Sequence, residues 1–159
     1  MNLVISKEIT LSSINRDNAT ALFPLFKAEI RELSKWFPFD EDYSLEDDYE
    51  YIKEKKPPYE EAFIILYNGK ACGRIGFYDY DEQRKEIYIY YWVAKAYRRK
   101  QIARDSLKGI ISYLQTLHIK KALFDINKDN YDSIAFIKCL DKAELENEEK
   151  DYYVFSQTV

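Results

Sequence analysis

From Glu86 to Val93 the chain alternates in period two, with Ile87, Ile89, Tyr91 and Val93 on one face and Glu86, Tyr88, Tyr90 and Trp92 on the other. Both faces carry bulk. Such a strand would waste apolar surface if either face met water, so the pattern predicts a central strand in a sheet covered on both sides. The residues after it constrain the chain further. Lys95, Arg98, Arg99 and Lys100 crowd a short turn, and Arg104 and Lys108 follow. A helix is then expected from Ile102 to about Leu117, with Ile102, Leu107, Ile110, Ile111 and Leu114 on its apolar side. Strand, basic turn and helix together have the layout of an anion site, because a helix N-terminus offers unpaired N–H groups and a positive dipole end, although the basic cluster by itself reads better as a solvated helix start. The turn holds no glycine; the chain has only Gly69, Gly73, Gly76 and Gly109.

The flanking segments fill in the sheet and its cover. Leu3–Ile5 and Ile9–Leu11 read as a first strand. Asp17 or Asn18 is expected to cap a helix running to about Lys35, with Pro24 inside it. Ser44-Leu-Glu-Asp47 is a capping box that opens a helix from Leu45 to about Lys55. Ala62–Tyr67 and Ala71–Phe77 flank Asn68-Gly69, a strong hairpin signal. Lys121–Ile126 reads as a strand, Asp132 or Ser133 to Leu140 as a short helix, and Ala143–Glu146 with Tyr152–Phe155 as a closing hairpin. The order β-α-α-β-β-β-α-β-α-β-β is an α+β arrangement, and 159 residues without repeat or linker are read as one domain over 1–159.

Composition removes several function classes. The net charge is −4, from 28 acidic and 24 basic residues, which argues against bulk nucleic-acid binding. A basic cluster on an acidic chain suits a small phosphorylated ligand better than a duplex. No apolar run approaches membrane-spanning length and the start does not read as a signal peptide, so a cytoplasmic protein without a membrane partner is expected. Cys72 and Cys139 lack metal-type spacing, so both are read as plain thiols and no metal site is expected.

Five pieces, in order, resemble the GNAT N-acetyltransferases, and within them the RimJ/RimL-like branch of ribosomal-protein N-terminal acetyltransferases. Leu33-Ser-Lys-Trp36-Phe-Pro-Phe39 is similar to that branch's Leu-x-x-Trp-Leu-Pro-Trp. Ser44–Ile52 lies where the branch has its second helix, and Tyr91-Trp92-Val93 matches its Tyr-Trp-hydrophobic strand end. Asn130-x-x-Ser133 and Tyr152-Tyr-Val-Phe155 match its last helix start and closing strand. The family's acyl-CoA signature, Gln/Arg-x-x-Gly-x-Gly/Ala, reads Arg98-Arg-Lys-Gln101-Ile-Ala103, with Gln101 in place of the central glycine. Gln101 is expected to serve if its backbone stays helical and its side chain swings outward. The family's Tyr in the last helix, a general acid, is Ile137 here, and Asp141-Lys142 replaces the usual Gly-Phe.

The resemblance implies a GNAT fold with a central mixed, mostly antiparallel sheet flanked by helices. It implies transfer of acetyl from acetyl-CoA to a primary amine, on a small molecule, a polyamine or a protein N-terminus, by direct attack. Pantetheine would pair with backbone near Trp92 and Val93, in a gap between that strand and the one ending near Ile126. Arg98, Arg99, Lys100, Gln101, Ile102 and Ala103 would hold the pyrophosphate. Asn130 and Ser133 would contact pantetheine or the reacting sulfur, although as residue types they equally read as a turn and a helix cap. Glu86 is a candidate base, with Asp79 a second, although acids at strand ends read more readily as simply solvated. Tyr88 and Tyr90 are read as cleft walls, Tyr131 as a weaker acid, and His118 as structural. The acids from Asp40 to Glu50 read as a solvated helix start or as a wall for a cationic amine. Aromatic strands and a closing hairpin leave room for a homodimer. The rival readings are a GNAT scaffold kept as a binding module, suggested by Gln101, Ile137 and Asp141, and an RNA-binding domain using the basic turn.

Overall fold

The computed structural model describes residues 1–159. Eight strands form one sheet: β1 Asn2–Val4, β2 Ile9–Ser13, β3 Glu61–Tyr67, β4 Lys70–Asp81, β5 Glu86–Val93, β6 Lys121–Asn127, β7 Ala143–Glu148 and β8 Tyr152–Thr158. Their spatial order is β1-β2-β3-β4-β5-β6-β8-β7. Every neighbouring pair is antiparallel except β5 and β6, which run parallel. The helices are α1 Arg16–Leu33, α2 Leu45–Glu54, α3 Ile102–Thr116 and α4 Tyr131–Lys138.

The two faces of β5 are buried against different helices, as its alternation requires. Ile87, Ile89 and Val93 join Phe63, Ile65, Ile75 and Phe77 in a core closed by Ile102, Leu107, Ile110 and Leu114 of α3 and Ile137 of α4. On the opposite face Trp92 packs with Ala62, Ile64 and α1 residues Ala19, Leu22 and Leu33. Fully burying an Ile or Leu contributes about 1.5–3 kcal/mol each. These two cores therefore fix which helix lies on which side of the strand.

Local signals account for most element ends. Asn68 and Gly69 both take positive φ, 49° and 77°, forming the tight hairpin between β3 and β4. Asp47 Oδ2 accepts a 2.7 Å hydrogen bond from the Ser44 N–H and closes the start of α2. Two boundaries differ from expectation. The first strand is a hairpin of two strands, turned at Ser6, whose hydroxyl accepts from the N–H groups of Glu8 and Ile9. The cap of α1 is Asn15, whose Oδ1 accepts from Asp17 and Asn18 at 3.0 Å. Asn18 instead serves as the return partner of the box, accepting from the Asn15 N–H at 2.8 Å. Pro24 lies within α1, which continues through it to Leu33. No helix is long and apolar enough to cross a membrane.

Candidate active site

β5 and β6 are paired only over Glu86–Tyr88 against Lys121–Leu123. Beyond Tyr88 they splay, and the edge of β5 that faces β6 has no strand partner through Val93. An unpaired edge of this kind leaves backbone groups able to pair with an extended, amide-bearing ligand. Three connected cavities open around the splay. The first, of about 330 Å³, runs past Tyr91, Trp92, Val93, Arg98 and Ala103 to Asn130, Ser133 and Phe136. The second, of about 250 Å³, lies in the gap itself, between Tyr90 and Tyr91 on one side and Asp125, Asn127 and Asn130 on the other. The third, of about 360 Å³, sits under α1 and α2. Phe37 lines all three, and Trp36, Tyr90, Tyr91 and Trp92 each line two, so the three adjoin as arms of one cleft.

The first arm ends at the start of α3. Gln101 is the residue before the helix, with φ 60° and ψ 11°, and Arg99 also has positive φ, 63°. The condition set for Gln101, a backbone kept helical, is met only in the left-handed sense: the turn is left-handed there, as glycine would allow most freely. Gln101 makes no side-chain cap bond and is exposed. The first helical hydrogen bond runs from the Asp105 N–H to the Gln101 carbonyl at 2.9 Å. The N–H groups of Ile102, Ala103 and Arg104 thus have no acceptor within the helix.

The basic residues divide into two groups. Arg98 is held in place: its Nε donates to the Val93 carbonyl at 3.0 Å and its guanidinium lies 3.3 Å from Glu29 of α1. Lys95 pairs with Glu32. Arg99 and Lys100 are exposed and make no ion pair, and Lys100 stands 5.4 Å and 5.7 Å over the rings of Tyr67 and Tyr97. Ile102 turns its side chain into the core at 2% exposure, so only its backbone can face a ligand.

Asn130 caps α4, its Oδ1 accepting from the Ser133 N–H at 3.3 Å, while both residues line the first and second arms. Capping and cleft placement coincide. Glu86 is a correction. It sits where β5 and β6 are still paired, 3.4 Å from Lys121, and lines none of the three arms. A carboxylate held by a lysine outside the cleft has no route to an acceptor amine.

The acid that does line the gap is Asp125 of β6. Asp125 is solvent-exposed at one side, and its partial desolvation in the gap, then the charges of Asp79 and Glu149, raise its pKa above the ordinary Asp value. Asp79, on a left-handed residue near the end of β4, therefore acts on the gap through its charge. Sequence reasoning passed over Asp125, although one acid within Ala-Leu-Phe-Asp-Ile is a legible signal.

The third arm is aromatic. Phe26, Phe37, Phe39, Tyr43, Tyr51, Tyr78, Tyr90 and Trp92 make its walls, with Arg74 and Glu60 as its charged groups. Arg74 is neutralised in place: it donates to Asp48 Oδ1 at 2.7 Å and to the Tyr90 hydroxyl at 3.1 Å, and Tyr43 also donates to Asp48 at 2.9 Å. Tyr90 is a cleft wall as expected, whereas Tyr88 lies beside Tyr78 outside the three arms. Of the acidic stretch, Asp48 alone is buried. Tyr131 is 73% exposed at the mouth of the first arm. His118 takes φ 58° just past α3, a structural turn, and Cys139 is exposed while Cys72 is buried.

This architecture has known relatives. Residues 27–140 match the model of the acetyltransferase (GNAT) family. The chain belongs to the GNAT acetyltransferase family. It is 28% identical over 115 residues to YdaF of Bacillus subtilis (strain 168), a protein provisionally named as a ribosomal N-acetyltransferase. That match covers 69% of this chain and 63% of YdaF, so the chain aligns with just under two thirds of this relative's length. Among solved structures, the apo form of RimL, a ribosomal-protein alpha-N-acetyltransferase, superimposes with a TM-score of 0.89 at 17% identity, over 100% of this chain and 94% of RimL. MccE, a microcin C7 self-immunity acetyltransferase solved with acetyl-CoA and AMP, gives 0.79 at 20% identity, over 98% of this chain and 94% of MccE. At these identities the structural likeness is one of fold. The GNAT fold, with its mostly antiparallel sheet flanked by helices, is as the sequence led one to expect.

Proposed function

We propose that this chain transfers an acetyl group from acetyl-CoA to a primary amine by direct attack. A protein N-terminus is the acceptor that the ribosomal-protein relatives favour, and the transferase unit is the whole chain, acting in the cytoplasm. The observation that carries the reading is the conjunction of splayed strands, an unpaired β5 edge and a left-handed turn at the N-terminus of α3. In this reading the free N–H groups of Ile102, Ala103 and Arg104, with exposed Arg99 and Lys100, hold the pyrophosphate. Pantetheine lies along β5 at Trp92 and Val93, and Asn130 and Ser133 flank its end. Arg98 braces the turn through Val93 and Glu29.

Asp125 receives the proton from the attacking amine, directly or through one water. Its raised pKa makes it a stronger base than an ordinary aspartate. Holding amine and thioester together in the gap supplies the orientation that direct transfer needs. Gln101 gives little support to the binding-module alternative, because its backbone already holds the left-handed turn.

The test is a calorimetric titration with acetyl-CoA, followed by mass spectrometry of acetyl transfer to a peptide with a free N-terminal serine and to spermidine. Saturable binding with transfer to either amine supports the reading. Absence of binding at millimolar acetyl-CoA overturns it, and binding without transfer to any of a broader amine panel returns the binding-module alternative.

A further inference from the structure

The third arm is walled by aromatic side chains that the core leaves half-covered. Phe26 comes from α1, Phe37, Phe39 and Tyr43 from the connector before α2, Tyr51 from α2 and Tyr90 from β5. Each is only partly buried, whereas the core aromatics Phe63, Phe77 and Phe124 are at most 1% exposed. Phe26 is the hub of the wall, its ring centroid 5.1 Å from Phe39, 5.3 Å from Tyr43 and 5.9 Å from Trp92. Rings that pack on one another yet keep a face uncovered leave apolar surface that a ligand can take out of water. At about 360 Å³ this arm alone reaches the range of a whole small-molecule site.

The charged groups of the arm narrow the occupant further. Arg74 is held by Asp48 at 2.7 Å and by the Tyr90 hydroxyl at 3.1 Å, so no free cation awaits an acidic ligand. Its guanidinium also stands 4.9 Å over the Tyr51 ring and 5.8 Å over the Tyr90 ring, so the cation that those faces can hold is already in place. Glu60 is half-buried and makes no ion pair, and its carboxylate disfavours a second negative charge beside it. Phe37, Pro38, Tyr78 and Tyr90 line both this arm and the gap, so a group filling the arm remains within reach of the gap where Asp125 lies. Resting on the proposed acetyl transfer, we infer that the acceptor is a primary amine carrying a large uncharged apolar group, aromatic or long aliphatic. That group fills the third arm while the nitrogen lies in the gap. Phe26, Phe37, Phe39 and Tyr51 set this specificity, and a polyamine or an N-terminal serine leaves the apolar walls wet. Two sources share the chemistry: a small alkyl- or arylalkylamine, and a protein N-terminus whose first side chain is large and apolar.

The test compares kcat/KM for acetyl transfer from acetyl-CoA to ethylamine, butylamine, hexylamine, 2-phenylethylamine and spermidine, and to peptides alike except for an N-terminal Phe, Leu or Ser. The straight-chain amines are nearly equal in basicity, so chain length alone varies among them. Their kcat/KM should rise about fourfold for each methylene taken into the arm. The Phe and Leu peptides should exceed the Ser peptide by at least about tenfold. Peptides that outrun the small amines assign the arm to an N-terminal residue, and the reverse order assigns it to a small amine; either bears the inference out. No gain with chain length, or a preference for spermidine or the Ser peptide, overturns it while leaving acetyl transfer standing. Transfer to none of these amines overturns both. A second readout is Phe39→Ala, which cuts back the wall at the connector and is first shown to be folded by thermal unfolding. The hexylamine-to-ethylamine ratio of kcat/KM should fall at least about fivefold in this variant. A ratio held at the wild-type value counts against the arm as the apolar site, and if the variant does not fold the wild-type series decides alone.

Discussion

Gln101 offers the sharpest test of how this chain builds a phosphate-binding turn without glycine. Its φ of 60° and ψ of 11° place it in the left-handed region, which costs an ordinary L-residue about 1–2 kcal/mol. Glycine removes that penalty but loses about 0.5–1 kcal/mol through the greater freedom of the unfolded chain. Gln101→Gly should therefore leave global stability unchanged or raise it by up to about 1.5 kcal/mol. Ligand binding separates the effects, because only the folded turn contacts the ligand. Any fraction of the turn that leaves the left-handed form weakens binding by that fraction. Relief of strain and removal of the Cβ should tighten CoA binding by up to about fivefold, the equivalent of about 1 kcal/mol. Gln101→Val, β-branched at positive φ, should weaken it at least about tenfold, or about 1.4 kcal/mol. Gln101→Asn should resemble the wild type, since Asn tolerates this region. Isothermal titration of the four proteins with CoA, alongside urea unfolding, supplies the comparison. Binding by Gln101→Val as tight as the wild type, or a large loss in Gln101→Gly, would refute a left-handed turn as the phosphate cradle.

Other expectations follow from the remaining arms of the cleft. Asp48→Ala leaves the Arg74 guanidinium in the protein without its carboxylate, and both side chains are mostly shielded, at 20% and 10% exposure, so chemical denaturation should show a loss of about 3–5 kcal/mol. Asp125→Asn should lower kcat by about 10² to 10⁴ without preventing CoA binding. Because the folded state raises the Asp125 pKa, its ionised form is disfavoured on folding, and stability falls as pH rises through that pKa. Asp125→Asn should therefore be the more stable protein at neutral pH by thermal unfolding. Asp79→Asn removes one of the charges that raise the Asp125 pKa and should move the acidic limb of the kcat/KM profile to lower pH; a limb that stays in place would exclude Asp125 as the titrating base. Gly76→Ala brings a Cβ within 2.6 Å of the Tyr90 hydroxyl and of the Glu61 carbonyl, so it should raise KM for the acceptor more than that for acetyl-CoA.

The fold was legible where the sequence carried a local signal with one physical meaning. Two bulky faces on Glu86–Val93 could be satisfied only by helices on both sides, and Asn68-Gly69 could hardly be anything other than a hairpin turn. The split of the first strand was harder, because Ser6 turns the chain with its hydroxyl rather than with glycine or proline. The cap of α1 shifted to Asn15 because two asparagines three apart both fit the box, and only geometry assigns their roles.

The site was less legible. Glu86 and Asp125 are both acids on central strands, and the distinction between them lies in where β5 and β6 part, a tertiary fact. Arg74 and Asp48 lie 26 positions apart, and nothing local joins them. Tyr91 shares the core face of β5 by alternation, which hides the fact that its hydroxyl finds no partner there. Gln101 departs from glycine in residue type, yet its backbone keeps the conformation that glycine would have supplied.

The central claim is that acetyl-CoA occupies the splay between β5 and β6 with its pyrophosphate on the N-terminus of α3. Hydrogen exchange of the backbone amides, with and without saturating acetyl-CoA, addresses it directly. Slowed exchange confined to Ile89–Val93 and to the first turn of α3 is the expected result. Binding that leaves those amides unprotected, or protects a different face of the sheet, would contradict it.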